Sequence, residues 1–138
     1  MPISTFLDSS VLIAAYWGRS PERDLALKII NDPSHWFIVS AFLYLETLPK
    51  AVHSKRLAEV TFYNNYFDNA FLWVNDLESI VRIARDESEQ HGLAAMDALH
   101  VAAAHLGKAE VLLTLERKTK PMYRSTLVRV AYLESVSG

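Results

Sequence analysis

The sequence contains no cysteine. That excludes a disulfide framework, a thiolate metal site and a cysteine nucleophile. Neither sign of charge dominates: 14 lysines and arginines stand against 16 aspartates and glutamates, a net of −2 with histidine neutral. Bulk charge therefore does not advertise a nucleic-acid binder. Long hydrophobic runs are also missing, and the apolar stretches fall far short of the ~20 residues that span a bilayer. The opening MPISTFLD has no basic segment leading into an apolar core. No secretory signal and no membrane partner are expected, and a cytoplasmic location is. No internal repeat, low-complexity tract or interdomain linker interrupts the chain. Of the 5 histidines, none forms a pair with convincing zinc spacing. His91 and His105 read as surface or helix-end residues.

What is present points to a packed core. Apolar residues make up 51% of 138 residues, enough for one globular domain over residues 1–138. Ile3 to Leu7 reads as a strand, with Asp8 at its end. Ser9 or Ser10 is expected to cap a helix from Val11 to Trp17, which Gly18 stops. Ser20-Pro21 restarts a helix through Leu25, Ile29 and Ile30. Trp36 to Val39 is a second strand, and Ser40 caps a helix carrying Glu46. Pro49 is expected to kink or break that helix. A further helix runs from Leu57 to about Ala70, and Phe71 to Val74 is a third strand. Asp76 caps a long amphipathic helix. Its inward residues are expected to be Ile80, Val81, Ile83 and Ala84, and its outward ones Glu78, Arg82, Arg85, Asp86 and Glu89. Gly92 ends it. A helix carrying Asp97 follows and stops at Gly107. Val111 to Leu113 and Leu127 to Tyr132 are the last strands, the fifth at an edge. Strands alternating with helices predict an α/β chain, a parallel sheet with helices on both faces.

Asp8, Glu46, Asp97 and Glu116 hold comparable places, at strand ends and early in helices, where α/β proteins put binding chemistry. Asp97 sits among Leu93, Ala94, Ala95, Met96, Ala98 and Leu99, a costly setting for a carboxylate without a cation. If the four meet, they repel one another, and a hard divalent ion is the usual resolution. Mg²⁺ or Mn²⁺ suits such oxygen ligands together with a phosphate. Ser9, Ser10 and Thr114 offer hydroxyls to orient acids or water. Taken singly, each acid also has a plain reading as a helix-start, surface or loop charge. Asp8 followed by Ser9-Ser10 is not the D-x-D of haloacid-dehalogenase-like phosphatases, which disfavours that chemistry.

Four stretches carry a resemblance: F-L-D-S-S-V-L from Phe6, L-x-x-E from Leu43 to Glu46, M-D-A-L-H-V-A-A-A from Met96, and L-L-T-x-E from Leu112 to Glu116. Together they resemble a PIN domain, and within that family the VapC-like ribonuclease toxins of prokaryotic toxin–antitoxin pairs. The resemblance implies a single-domain α/β/α sandwich whose five-stranded parallel sheet runs in the order 3-2-1-4-5. It implies a Mg²⁺- or Mn²⁺-dependent endoribonuclease with Asp8, Glu46 and Asp97 as core acids. An RNA substrate, a cognate antitoxin and a homodimer are its implied partners. The fourth acid of such proteins is commonly Asp, two residues after the Thr; here Glu116 holds that place and its longer arm alters the geometry. A catalytically weak module that only binds RNA or a partner is the alternative.

Around these acids stand auxiliary candidates. Ser10 and Thr114 would orient ligands. His100, three residues after Asp97, either is a hydrogen-bonded structural residue or serves a phosphate or proton. Arg117, Lys118, Lys120 and Arg124 either flank RNA at the rim or form a solvated loop. Phe62, Tyr63, Tyr66 and Phe67, with Tyr16 and Trp17, are either core alone or core plus a partner surface.

Overall fold

The computed structural model describes residues 1–134; the last four positions of the expected domain lie outside the described residues. Five strands, β1 (Ile3–Leu7), β2 (His35–Ser40), β3 (Leu72–Val74), β4 (Val111–Thr114) and β5 (Arg129–Tyr132), form one sheet in the order β3-β2-β1-β4-β5. Every pairing is parallel. The central position of β4 explains its sequence: all of Val-Leu-Leu-Thr is buried, as befits a strand covered on both faces.

Six helices connect the strands: α1 (Ser9–Trp17), α2 (Glu22–Ile30), α3 (Ala41–His53), α4 (Leu57–Asp68), α5 (Leu77–His91) and α6 (Ala95–Leu106). A 3₁₀ turn, Pro121–Arg124, precedes β5. From β1 to β3 the chain steps outward in one direction, so right-handed crossovers place α1 to α4 on one face. The connection from β3 to β4 returns past β1 and places α5 and α6 on the other. The packing agrees: α1 contacts α2, α3 and α4, and α5 contacts α6. Strand order reverses between β1 and β4, the place where open α/β sheets leave a crevice beyond the carboxyl ends of their strands.

Several local expectations need correction. Asp8 caps α1, accepting from the Ser10 amide, whereas Ser9 and Ser10 lie inside the helix. Asp has the same short acceptor as Ser and stands one residue earlier. Pro49 does not break α3, which runs unbroken from Ala41 to His53. The carbonyl that proline leaves without a donor is that of Leu45, a residue that is 62% exposed. Val81 is not inward but 52% exposed. Ser40 and Asp76 do cap α3 and α5, and Gly92 takes the left-handed conformation that ends α5.

Gly107 does more than stop α6. A Cβ there would come within 2.7 Å of Ile38 Cγ2 and 3.0 Å of Val74 Cγ2. The glycine thus lets the end of α6 lie on β2 and β3. Gly107→Ala should lower stability by about 2 kcal/mol, as overpacking does, seen as a lower urea midpoint with an unchanged slope.

Glu59 is an unexpected core carboxylate, only 4% exposed. It accepts from Trp17 Nε1 at 2.8 Å, Arg56 Nε at 2.7 Å and Tyr63 Oη at 2.8 Å. Burial pushes its pKa up, but these three donors more than offset that and leave it below the ordinary value. A lowered folded pKa contributes stability that is present above the unfolded value near 4.5 and lost as pH falls through the folded one. Glu59→Gln should therefore cost about 2 kcal/mol at neutral pH, and its deficit against the native chain should shrink on acidification. Thermal melts from pH 7 downward measure both; a deficit that does not change with pH would contradict this account.

Candidate active site

β1 and β4 pair side by side, with Leu7 opposite Leu113. Their carboxyl ends deliver Asp8 and Thr114 to the same edge. Asp8 is 3% exposed and its carboxylate is held on both oxygens. Oδ1 accepts from the Ser10 amide at 3.1 Å and the Ser10 hydroxyl at 2.5 Å. Oδ2 accepts from the Thr114 hydroxyl at 2.7 Å. The lattice continues: the Leu115 amide donates to Ser10 Oγ at 3.0 Å and the Glu116 amide to Thr114 Oγ1 at 3.0 Å. The Tyr123 hydroxyl then holds the Glu116 carbonyl at 2.8 Å. Ser10 and Thr114 thus orient Asp8 directly.

Glu46 arrives from the second turn of α3 and His100 from α6. They meet with His100 Nε2 at 2.5 Å from Glu46 Oε1. Since α3 and α6 cover opposite faces, this pair closes over the edge of the sheet. The bond to His100 holds the Glu46 carboxylate below its ordinary pKa despite burial, helped by the Ser9 hydroxyl. His100 is 1% exposed and packs against the Phe6 ring at 5.6 Å. Its Nδ1 has no hydrogen-bond partner among the described residues. The histidine therefore reaches Glu46 rather than Asp97, its neighbour one turn away.

Asp97 lies in the first turn of α6, half-buried, but does not cap it: the cap is Ala94, with no side-chain bond. Burial pushes the Asp97 pKa up; Lys120 opposes that, while the charges of Glu116 and Glu46 add to it. Burial likewise raises Asp8, partly offset by Ser10 and Thr114, and Asp97 adds to the rise. Asp97 thus feels Glu116 and Glu46, and Asp8 feels Asp97. Asp8 and Glu46 have donors; the Asp97 carboxylate has none among the described residues.

The donor set is entirely carboxylate oxygen, unfavourably charged and partly dry, which fits a hard divalent cation better than a zinc-like ion. Among the described residues, no three His, Asp or Glu side chains are already gathered as a metal cage. Mg²⁺-type ions keep several waters and take one or two carboxylates, so they do not require such a cage.

The basic candidates separate. Lys120 acts on Asp97 electrostatically. Arg117 and Lys118 are exposed. Arg124 donates through Nη1 to the His91 carbonyl at 3.1 Å, which ties the 3₁₀ turn to the end of α5. Of the aromatics, Tyr63, Tyr66 and Phe67 are core, whereas Trp17 is 54% exposed. Two features escaped the sequence reading. Glu59 looked like any surface acid of a helix, and no local signal announced its partners. Glu87, also buried, accepts from Ser125 Oγ at 2.5 Å and fastens α5 to the segment before β5. Its spacing from Ile80 and Ala84 on the inward face was the available signal.

Comparison with known proteins agrees with this architecture. The fold is similar to that in the crystal structure of VapBC2 from Rickettsia felis bound to a DNA fragment from their promoter, with TM-score 0.67 and 15% identity over 94% of this chain and 98% of that one. It is similar to a toxin–antitoxin complex from Klebsiella pneumoniae, at TM-score 0.67 and 20% identity over 94% and 97% of the two chains. The structure of FitAcB from Neisseria gonorrhoeae is similar at TM-score 0.62 and 19% identity over 94% and 98%. At these identities the likeness concerns the fold. No curated protein matches by sequence. The match to the PIN domain family covers residues 5–124, a span that contains Asp8, Glu46, Asp97, Thr114 and Glu116. With that match running over most of its length, the chain belongs to the PIN domain family.

Proposed function

We propose that the protein is a metal-dependent endoribonuclease and the toxin of a type II toxin–antitoxin pair. The observation that carries the reading is Asp97: a half-buried carboxylate without a donor, raised by burial and by neighbouring acids, beside a rigidly held Asp8. Asp8, Asp97 and Glu46 would hold Mg²⁺ or Mn²⁺, with Glu116 assisting through water. When bound, such an ion neutralises charge on a phosphoryl group and acidifies an attacking water.

The chain's own residues do the positioning. Ser10 and Thr114 fix the direction of Asp8. His100 keeps Glu46 ionised and aimed at the edge of the sheet. Lys120, close enough to act on Asp97, is placed to meet a phosphate. Water gives up one proton as it attacks phosphorus, the P–O bond to the leaving strand breaks, and the leaving oxygen takes up a proton, so that the exchange is neutral overall.

The solved complexes of similar fold support an antitoxin partner. A homodimer is supported by the exposed Leu77 and Val81 on α5, beside an apolar cleft lined by Phe42, Ala95 and Leu99. No helix of the described residues is long and apolar enough to cross a membrane. A cytoplasmic location belongs to the toxin reading, since its RNA substrate is there.

Cleavage of a mixed RNA pool tests the reading. Cleavage should require Mg²⁺ or Mn²⁺, stop with EDTA, and fall by about 10²-fold or more in Asp97→Asn with the fold retained. Full activity of Asp97→Asn, or activity in EDTA, would sink it. His100→Gln should lower kcat by about tenfold with KM little changed, because it loosens Glu46 rather than removing a ligand. An unaltered kcat would show that Glu46 does not need the histidine.

A further inference from the structure

We propose that the cleft between α1, α3 and α4 holds an unpaired nucleotide of the substrate beside the scissile phosphate, with Trp17 stacking on its base and Lys50 meeting its phosphate. The inference rests on the nuclease reading and adds to it the direction in which the RNA leaves the site.

The cleft, of about 120 Å³, begins at Glu46 and is lined also by Ile13, Trp17, Lys50 and Arg56. It is therefore continuous with the acidic site. Its apolar wall is unusual for a surface: Trp17 is 54% exposed and Ile13, one turn earlier on α1, is 39% exposed. The indole is nonetheless fixed. Its Nε1 donates to buried Glu59 at 2.8 Å, its ring meets Tyr16 at 5.3 Å, and the Arg56 guanidinium lies 5.2 Å from its centroid. A ring already held in place loses little freedom when a base stacks on it.

Charge decides which polymer fits. Both acids of the cleft are already answered, Glu46 by His100 and Glu59 by Arg56, Trp17 and Tyr63. Lys50 stands four residues after Glu46, a spacing that ordinarily forms an ion pair, yet it makes none among the described residues. Four residues place it ~6 Å along α3 from Glu46. Arg56 is engaged by Glu59 through Nε and lies over the Trp17 ring, so Lys50 is the cation left for a phosphate. The unanswered charge beside the site is thus positive, next to an open aromatic. Aromatic stacking joined to cations is how proteins hold single-stranded nucleic acid with little sequence choice, and a base inside a duplex cannot use it.

The test uses the full chain carrying Asp97→Asn for binding, with a labelled single-stranded RNA pool of random sequence and its duplex form as probes. Wild-type active site and RNA pool serve for kinetics. Trp17→Phe keeps a ring, Trp17→Leu does not, and both lose the hydrogen bond to Glu59. Trp17→Leu should weaken single-strand binding by about tenfold more than Trp17→Phe. Lys50→Gln should reduce the salt slope by about 0.7. Duplex binding should respond to neither. In a Trp36→Phe, Trp73→Phe chain, the remaining Trp17 fluorescence should be quenched by the single strand. Metal-dependent cleavage whose KM ignores Trp17→Leu and Lys50→Gln overturns the cleft and leaves the nuclease reading intact. Equal losses in Trp17→Phe and Trp17→Leu reduce Trp17 to a structural residue and also overturn it. A Trp17 signal that answers a partner protein but not RNA assigns the cleft to that partner. Absence of both cleavage and binding defeats both readings.

Discussion

The site depends on one cross-strand tie, the carboxylate of Asp8 clasped by the hydroxyls of Ser10 and Thr114. Those residues come from either side of the reversal point, more than a hundred positions apart in the chain. A parallel sheet pairs β1 and β4 along their length but leaves their carboxyl ends to diverge into separate loops. Asp8 prevents that by capping α1 and accepting from Thr114 at once. The Ser10 hydroxyl in turn receives the Leu115 amide, so the turn toward Glu116 is set by the same group that sets Asp8. Structural capping and the gathering of charge are thus one arrangement here. A buried carboxylate resists ionisation, and the surrounding hydroxyls offset part of that rise for Asp8.

The second tie acts between layers. Glu46 and His100 belong to helices on opposite faces, and their bond spans the carboxyl edge. In a three-layer fold most contacts join a helix to the sheet beneath it. A helix-to-helix contact at the edge couples the two outer layers directly, through a histidine that itself packs on Phe6 of the core. That leaves His100 with one nitrogen satisfied and the other buried without a partner among the described residues. A buried nitrogen without a partner is costly, and the bond from the other ring nitrogen to Glu46 is what that cost is set against.

Much of this was legible in the sequence because the signals were local. Strand, cap and helix-stop residues lie within a few positions of what they determine, as Ser40, Asp76 and Gly92 illustrate. The candidate acids were readable because each sits at the end of a strand or the start of a helix. The failures share a cause: they turn on partners distant in sequence or on which way a surface faces. Glu59 is answered by Trp17, 42 positions away, and Glu46 by His100, 54 positions away. Val81 follows the apolar rhythm of α5 yet looks outward. Pro49 does not break α3 because the carbonyl it leaves without a donor belongs to an exposed residue, Leu45, which the local rule does not register.

The sheet's margins carry a consequence for behaviour at high concentration. β3 has only three residues and β5 only four. An unpaired strand margin is a template on which another chain can add itself, and the danger grows with the length of the margin. Here each offers room for barely one or two ladder bonds, and β5 opens on the exposed cation of Arg129. Short margins of this kind discourage strand addition between copies at either end of the sheet.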